Sequence, residues 1–222
     1  MFKLAVVLST TPSHNVFRRV IEGSFNSGYL TDFMICSGFF HERTNKQGAF
    51  YASDAFKSAI LPNSSKVTVV GAYDPASTEF DDFCTTLTFN LKKKNGDKVP
   101  LMQRRAAKKY ANKWHAKIYI AKQHTSHRLA VIGSSNLTRS AFSPSPSNNE
   151  SDVIIWDDSH AKTRRIIDSV ISDEEPTNSL IGEGGQTVIV GNYNQSDKRN
   201  NYHGPMQDRL NRIWQDVISA TI

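Results

Sequence analysis

Apolar and polar residues alternate in short blocks along this chain of 222 residues. Blocks that are rich in β-branched and aromatic side chains and end at polar or glycine residues are typical of buried strands. The strands predicted in this way are residues 4–8, 32–40, 66–71, 114–121, 128–132, 153–156 and 187–190.

A second, helical periodicity appears between these strands. In residues 15–27, for example, Phe17, Val20, Ile21 and Phe25 fall on one face of a helix. The helices predicted in this way are residues 15–27, 53–60, 78–91, 161–171 and 207–218. Strands that alternate with helices predict an α/β fold, in which a mixed β-sheet is flanked by helices on both faces.

Composition places the chain among folded globular proteins, with 38% hydrophobic and 22% charged residues, twelve Phe and three Trp. We expect one domain over residues 1–222, and residues 172–185 are the best candidate for a boundary if there is one.

The apolar run at residues 4–8 is too short for a signal peptide, and no run predicts a membrane span. Cys36 and Cys84 lack a CxxC spacing, so reduced cysteines and a cytoplasmic location are expected.

Positive charge is concentrated in one segment. The formal net charge is +6, but residues 92–117 alone hold ten basic residues and one acid, Asp97, for a formal charge of +9. The remaining chain therefore carries −3. Such an asymmetry indicates a local surface for an anionic partner more than a general property of the protein.

The basic segment suggests a phosphate-binding surface. A helix predicted here would place Arg104 beside Lys108 and Arg105 beside Lys109, where like charges repel each other. A polyanion lying across that face would relieve the repulsion, whereas the alternative is a solvated helix face. We favour the first because the segment leads into the candidate catalytic residues, and Trp114 could either stack on a base or belong to the core. The candidate nucleic-acid-binding residues are Arg104, Arg105, Lys108, Lys109, Lys113 and Trp114.

Three short patterns follow in order. His115 and Lys117 lie two residues apart in a predicted strand, where alternate side chains share a face. Residues 133–136 read Gly-Ser-Ser-Asn at the end of the next predicted strand, and Glu150 comes just before the following one. Each has an ordinary explanation alone: a surface pair, a turn, and the cap of a loop. Their order across adjacent strands is far more specific.

His-x-Lys, then Gly-Ser-x-Asn after a strand, then a Glu in an Asn-rich context resembles the HKD motif of the phospholipase D superfamily, in particular its single-motif bacterial nucleases and restriction endonucleases. The resemblance covers residues 113–156 closely and implies a phospholipase D-like α/β/α sandwich. One position departs from the motif, which has an Asp five residues after the Lys, where this chain has Lys122. The departure weakens a lipase assignment more than a nuclease assignment.

The resemblance implies a role for each residue. His115 attacks phosphorus and forms a phosphohistidine, and Glu150 accepts a hydrogen bond from its ring and fixes the tautomer. Lys117 and Asn136, supported by Ser134, bind the non-bridging oxygens and stabilise the developing charge. Since cationic and amide donors take this part, no metal and no cofactor are expected.

A general acid for the leaving oxygen is missing from this set. In the family it is the His of a second motif, but the chain carries a single HxK pattern. The resemblance therefore implies a homodimer in which two copies of His115 face each other across a two-fold axis and share one active site.

Three other histidines are weaker candidates. His124 and His127 lie three residues apart, but without a third ligand we expect them to be exposed or to contact phosphate rather than a metal. His41 follows a predicted strand and is a weak candidate for lining the site.

The leading prediction is a nuclease that acts on nucleic acid, with DNA favoured, and a restriction or defence endonuclease is one form that it would take. A phospholipase or phosphatidyltransferase is the alternative among enzymes, although we would expect two motifs, an export signal or an exposed apolar segment. A nucleic-acid-binding module with a degenerate site is the alternative from another class, although a decayed site would have lost some of these residues. The chain would also suit a catalytic fragment whose specificity domain lies elsewhere.

Overall fold

The computed structural model of the protein describes residues 1–9, 15–45, 48–72, 78–110, 114–143, 150–171, 186–196 and 204–222. Its strands are β1 (Phe2–Ser9), β2 (Asp32–Cys36), β3 (Glu42–Asn45), β4 (Gly48–Tyr51), β5 (Ile60–Leu61), β6 (Lys66–Gly71), β7 (Lys92–Lys93), β8 (Leu101–Arg105), β9 (Ile118–Gln123), β10 (Ser126–Gly133), β11 (Glu150–Asp157) and β12 (Gln186–Asn192). Its helices are α1 (Val16–Asn26), α2 (Glu79–Asn90), α3 (Arg139–Phe142), α4 (Ala161–Ile171) and α5 (Met206–Ser219), with 3-10 helices at Ala52–Phe56 and Lys108–Tyr110.

Eight of the strands form one mixed sheet in the order β12-β1-β11-β10-β9-β2-β6-β8. The neighbours β2 and β6, and β6 and β8, run parallel, whereas the other neighbours run antiparallel. Two small ribbons, β3 with β4 and β5 with β7, lie outside this sheet. The three patterns of the motif lie just before β9, at the end of β10 and at the start of β11, and the antiparallel pairing of these strands brings them to one end of the sheet.

Helices cover both faces of the sheet, which confirms the predicted fold class. On one face, α1, α2 and α4 pack with the sheet into the larger core. Phe25 of α1 is fully buried there, with ring centroids 4.2 Å from Phe33 and 4.7 Å from Phe56. Helix α5 packs on the opposite face against a smaller core.

Local sequence explains where α1 begins. Asn15 adopts an extended backbone conformation, and its Oδ1 accepts a hydrogen bond from the Arg18 backbone N–H at 2.9 Å. This satisfies one of the amide groups left free in the first turn of a helix. The apolar face that the sequence predicted is then buried against the sheet.

The predicted bounds agree with the structure to different degrees. Strand β6 and helix α4 have the bounds expected from the sequence. The strand predicted over residues 114–121 was wrong at its start, because β9 begins at Ile118. The strand predicted over residues 32–40 also ends early, at Cys36, where the chain turns towards the loop after β10.

The helix predicted in the basic segment was wrong. Residues 101–105 form β8, which pairs in parallel with β6 so that Val70 lies opposite Arg104. The single turn Lys108–Tyr110 that follows is a 3-10 helix. The repulsion expected between residues four apart in a helix therefore does not arise. The candidate boundary at residues 172–185 lies outside the described residues, so the single domain stays a prediction.

Candidate active site

His115 and Lys117 lie just before β9 and not within it. Strand periodicity therefore does not place their side chains on one face, and instead the Lys117 Nζ donates a hydrogen bond to the His115 carbonyl at 2.8 Å. The His115 side chain is exposed. Among the described residues, its imidazole makes no hydrogen bond, so both ring nitrogens are available to a substrate.

The loop of residues 133–136 begins where β10 lies closest to β11. A Cβ at Gly133 would lie 2.0 Å from Asp152 Oδ1 and 2.5 Å from the Ser151 carbonyl, so this position requires glycine. The next residue, Ser134, donates its backbone N–H to the Ser151 carbonyl at 3.0 Å. The Gly-Ser-Ser-Asn pattern is thus explained at its first position by close backbone approach.

Glu150 is the first residue of β11 and contacts Ser134. The Ser134 hydroxyl donates a short hydrogen bond to the Glu150 carboxylate, and the hydroxyl accepts one from the Ser151 N–H at 2.9 Å. The hydrogen bond expected between Glu150 and the His115 ring is not formed within the described residues. This corrects the prediction: here the antiparallel pairing of β10 with β11 places the carboxylate beside the serine.

Gly38, just beyond the end of β2, lies close to both Asn136 and His115. A Cβ at Gly38 would lie 3.5 Å from Asn136 Oδ1 and 3.9 Å from His115 Cα. The Ser37 hydroxyl lies 3.3 Å from Asn136 Oδ1 and accepts the Leu137 N–H at 3.2 Å. The structure thus joins the end of β2 to both motif segments.

Sequence reasoning missed Ser37 and Gly38 as parts of this site. The signal that could have revealed them is a pair of small residues near the end of an apolar run, where the backbone can approach another segment closely. Ser37 is only 1% exposed, and its hydroxyl also donates to the Phe39 carbonyl at 2.6 Å.

Both candidate arginines of the basic segment make contacts within the chain. The Arg104 guanidinium donates to Thr221 Oγ1 at 2.7 Å and to the carbonyls of Ile218 and Thr221. It therefore anchors the end of the chain to β8. Arg105 pairs with Asp81 at 2.9 Å, and its guanidinium lies 4.5 Å from the Phe80 ring centroid.

The lysines of the same segment are more open. Lys108 and Lys109 are exposed, and the Lys109 ammonium lies 4.9 Å from the ring centroid of Tyr110. Lys113 lies outside the described residues. Trp114 is half-buried and packs against the smaller core beneath α5, which agrees with the core alternative considered for it.

His124 and His127 differ in burial. His124 is exposed in the turn between β9 and β10, as expected, with a φ of 56°. His127 is only 2% exposed, so the expectation of exposure was wrong for it, and its Nδ1 lies 3.2 Å from Gln207 Oε1 of α5. Burial, together with the charge of Lys122, lowers the pKa of His127 to about 4. No group of three His, Cys, Asp or Glu residues within the described ranges could hold a metal ion.

Lys122, at the position where the motif has Asp, lies far along β9 from His115. Its ammonium is 3.7 Å from the Trp214 ring centroid, and burial lowers its pKa. The side chain therefore links β9 to α5 through a cation–π contact.

His41 lies beside the loop of residues 133–136. Its ring centroid is 5.6 Å from that of Phe50, and its backbone N–H donates to the Leu137 carbonyl.

Both cysteines are buried and free, as the sequence indicated. Burial raises the pKa of Cys36 and of Cys84 to about 12, so neither thiol is a nucleophile at neutral pH.

Among the described helices, none combines the length and the apolar character that a membrane-spanning helix needs.

Comparison with known proteins gives likenesses in structure at low sequence identity. No protein-family model matches the chain, and no curated protein matches it. NucT from Helicobacter pylori is 14% identical over 78% of this chain and 97% of its own, with a TM-score of 0.43. Phosphatidylserine synthase from Haemophilus influenzae Rd KW20 is 15% identical over 99% of this chain and 48% of its own, with a TM-score of 0.42. Yeast tyrosyl-DNA phosphodiesterase is 11% identical over 68% of this chain and 45% of its own, with a TM-score of 0.35.

Proposed function

We propose that the chain is a metal-independent phosphodiesterase of the phospholipase D type that cleaves nucleic acid, with DNA favoured. The observation that carries the proposal is the approach of three separate segments at one end of the sheet. Residues 114–117, residues 133–136 and the end of β2 meet around Gly38, next to an exposed histidine with a free imidazole. Single-motif members of that superfamily are built from these residue types in this order.

His115 is the nucleophile in the proposed mechanism. One ring nitrogen attacks phosphorus, the bond to the leaving oxygen breaks, and a phosphohistidine forms that water then hydrolyses. Lys117 exchanges its hydrogen bond to the His115 carbonyl for one to a non-bridging phosphate oxygen. The Asn136 amide and the Lys117 ammonium then stabilise the charge that spreads over the phosphoryl oxygens.

Glu150 has a different role from the one first inferred. Its carboxylate accepts a hydrogen bond from the Ser134 hydroxyl, so it orients this serine in the loop of residues 133–136. The Ser151 N–H holds the same hydroxyl from the other side. In the proposed mechanism Ser134 supports Lys117 and Asn136, and Glu150 acts through it.

The leaving group requires a proton donor, which a second copy of the chain would supply as its own His115. An apolar row on the α5 side of the sheet suits such a partner. We name it the outer row; its members are direct cross-strand neighbours, each incompletely buried: Ile118, Ile132, Val153, Val6 and Ile189. The row begins next to Lys117 and passes next to Gly133, so it is continuous with the candidate site.

Nucleic acid is favoured over lipid as the substrate because Lys108 and Lys109 are exposed on the short turn that leads towards His115. Arg104 and Arg105 contribute less than predicted, since their guanidiniums are held by other residues of the chain. A cytoplasmic location and a restriction or defence role belong to the same proposal. A degenerate binding module is the weaker alternative, because a decayed site would have lost some of the candidate catalytic residues, all of which are present in the sequence.

The test is cleavage of plasmid DNA in excess EDTA by the wild type, His115→Ala and His124→Ala. His124 is a matched control, because it is an exposed histidine at the opposite end of β9. We expect cleavage that EDTA does not affect, a loss of about 10⁴-fold in His115→Ala, and no change in His124→Ala. Cleavage that EDTA abolishes, or that survives in His115→Ala, would refute the mechanism. A wild type that cleaves neither DNA nor RNA would refute the function.

A further inference from the structure

Asp152 is a buried carboxylate at the candidate site that the proposed mechanism does not use. It lies two residues after Glu150 in β11, is only 4% exposed, and faces Gly133 across the strand pair. Its pKa is raised, because the effect of burial exceeds that of the hydrogen bonds from Ser135, which lower it. A carboxylate in such a position is unfavourable unless it is fully hydrogen-bonded, so its partners indicate what it does.

Both hydrogen-bond donors of Ser135, its hydroxyl and its backbone N–H, are directed at this carboxylate. The Ser135 hydroxyl donates to Asp152 Oδ2 at 2.6 Å, and the Ser135 backbone N–H donates to Oδ1 at 3.3 Å. Gly133 leaves the space for this arrangement, since a Cβ there would lie 2.0 Å from Oδ1. The loop of residues 133–136 is therefore wrapped around one buried side chain.

Ser135 stands between the two loop residues that the proposed mechanism uses. Ser134 on one side faces Glu150, and Asn136 on the other faces Ser37. The direction of both side chains depends on the backbone of Ser135, which Asp152 holds. Small errors in the placement of donors around a reacting phosphate have large effects on rate.

We propose that Asp152 is a positioning residue: through Ser135 it fixes the backbone of the loop so that Ser134 and Asn136 can bind the phosphate of the substrate together. This inference rests on the proposed function. It assigns a role to the second serine of the loop, which the motif leaves unspecified, and to a carboxylate outside the motif.

The experiment compares kcat, KM and the melting temperature of Ser135→Ala, Asp152→Asn and the wild type on a labelled oligonucleotide. Ser65→Ala is the matched control, since Ser65 is 1% exposed and its hydroxyl has no hydrogen-bond partner among the described residues. Rates are normalised to the folded fraction. Asp152→Asn keeps the size of the side chain but removes its charge, and it replaces one of the two accepting oxygens with an NH₂ group that cannot accept a hydrogen bond.

We expect kcat to fall about 10- to 100-fold in Ser135→Ala and Asp152→Asn, with KM within about twofold of the wild type, because the loop acts on the reacting phosphate. Ser65→Ala should keep the wild-type kcat. An unchanged kcat in both site variants, or a loss explained by the unfolded fraction alone, would overturn the inference while leaving the proposed function standing. An inactive wild type would overturn both.

Discussion

The two faces of the sheet are built from similar apolar residues but are closed to different degrees. The face beneath α1, α2 and α4 is sealed, and residues such as Phe25 and Phe33 are at most 1% exposed. The other face carries α5, which covers an inner row of cross-strand neighbours and leaves the outer row half-open. The inner row consists of Leu4, Ile155, Ala130, Ile120 and Met34.

The difference suggests that the two faces serve different purposes. Apolar surface that is sealed from water contributes to the free energy of folding, at roughly 25 cal/mol per Å². Apolar surface that stays half-open beside a candidate site, and is continuous with it, is typical of an interface. The same strands therefore support the fold on one side and, in the proposed function, a second copy on the other.

The largest effect should come from opening the sealed face. We expect Phe25→Ala to lower the free energy of unfolding by about 3–5 kcal/mol, since the ring packs on Phe33 and Phe56 and the cavity would be filled only in part. Urea denaturation followed by tryptophan fluorescence measures this value. A loss below about 1 kcal/mol would show that the sealed face is less tightly packed than the structure indicates.

Charge placed on the outer row should weaken association and leave the fold intact. Ile189 is 59% exposed, and we expect Ile189→Glu to raise the dimer dissociation constant about 100-fold, because each interface would contain two buried carboxylates. Analytical ultracentrifugation measures the constant, and DNA cleavage at low protein concentration should fall with it.

A matched control for this variant lies on the sealed side. Phe89 of α2 is 66% exposed, and Phe89→Glu should leave the dissociation constant unchanged. A wild type that is monomeric and fully active under assay conditions would contradict the dimer, and equal effects of the two variants would contradict the assignment of the face.

The smallest effect concerns the attachment of α5 and depends on pH. The folded pKa of His127 is about 4, below the unfolded value of about 6.5, so between these values the unfolded chain binds a proton that the folded chain does not. Stability should therefore fall as the pH drops from 6.5 towards 4. Through His127 alone, we expect the free energy of unfolding to be about 2 kcal/mol lower at pH 5 than at neutral pH.

His127→Gln, which cannot titrate, checks this prediction. Urea unfolding at pH 8 and pH 5 should show a smaller loss of stability on acidification in the variant than in the wild type. The same loss in both proteins would mean that other groups, and not the histidine that bonds Gln207 of α5, control the response to acid.

The outcome of the sequence predictions follows a physical pattern. Where periodicity is strong and local, as in residues 66–71 and 161–171, the predicted bounds match β6 and α4. The helix predicted in the basic segment was wrong because pairing with β6 overrides local preference, so residues 101–105 extend the sheet as β8. The site shows the same limit: residue types and their order were visible, but not which side chain contacts which.

The sequence by itself determined the α/β class, the buried cysteines and the segments that carry the candidate chemistry, because each depends on composition, periodicity or spacing along the chain. Only the tertiary structure decided that Glu150 faces Ser134, that Arg104 is held by the end of the chain, and that Gly38 lies beside His115. These contacts join residues from different strands, and their geometry follows from strand order and register, which no local pattern encodes.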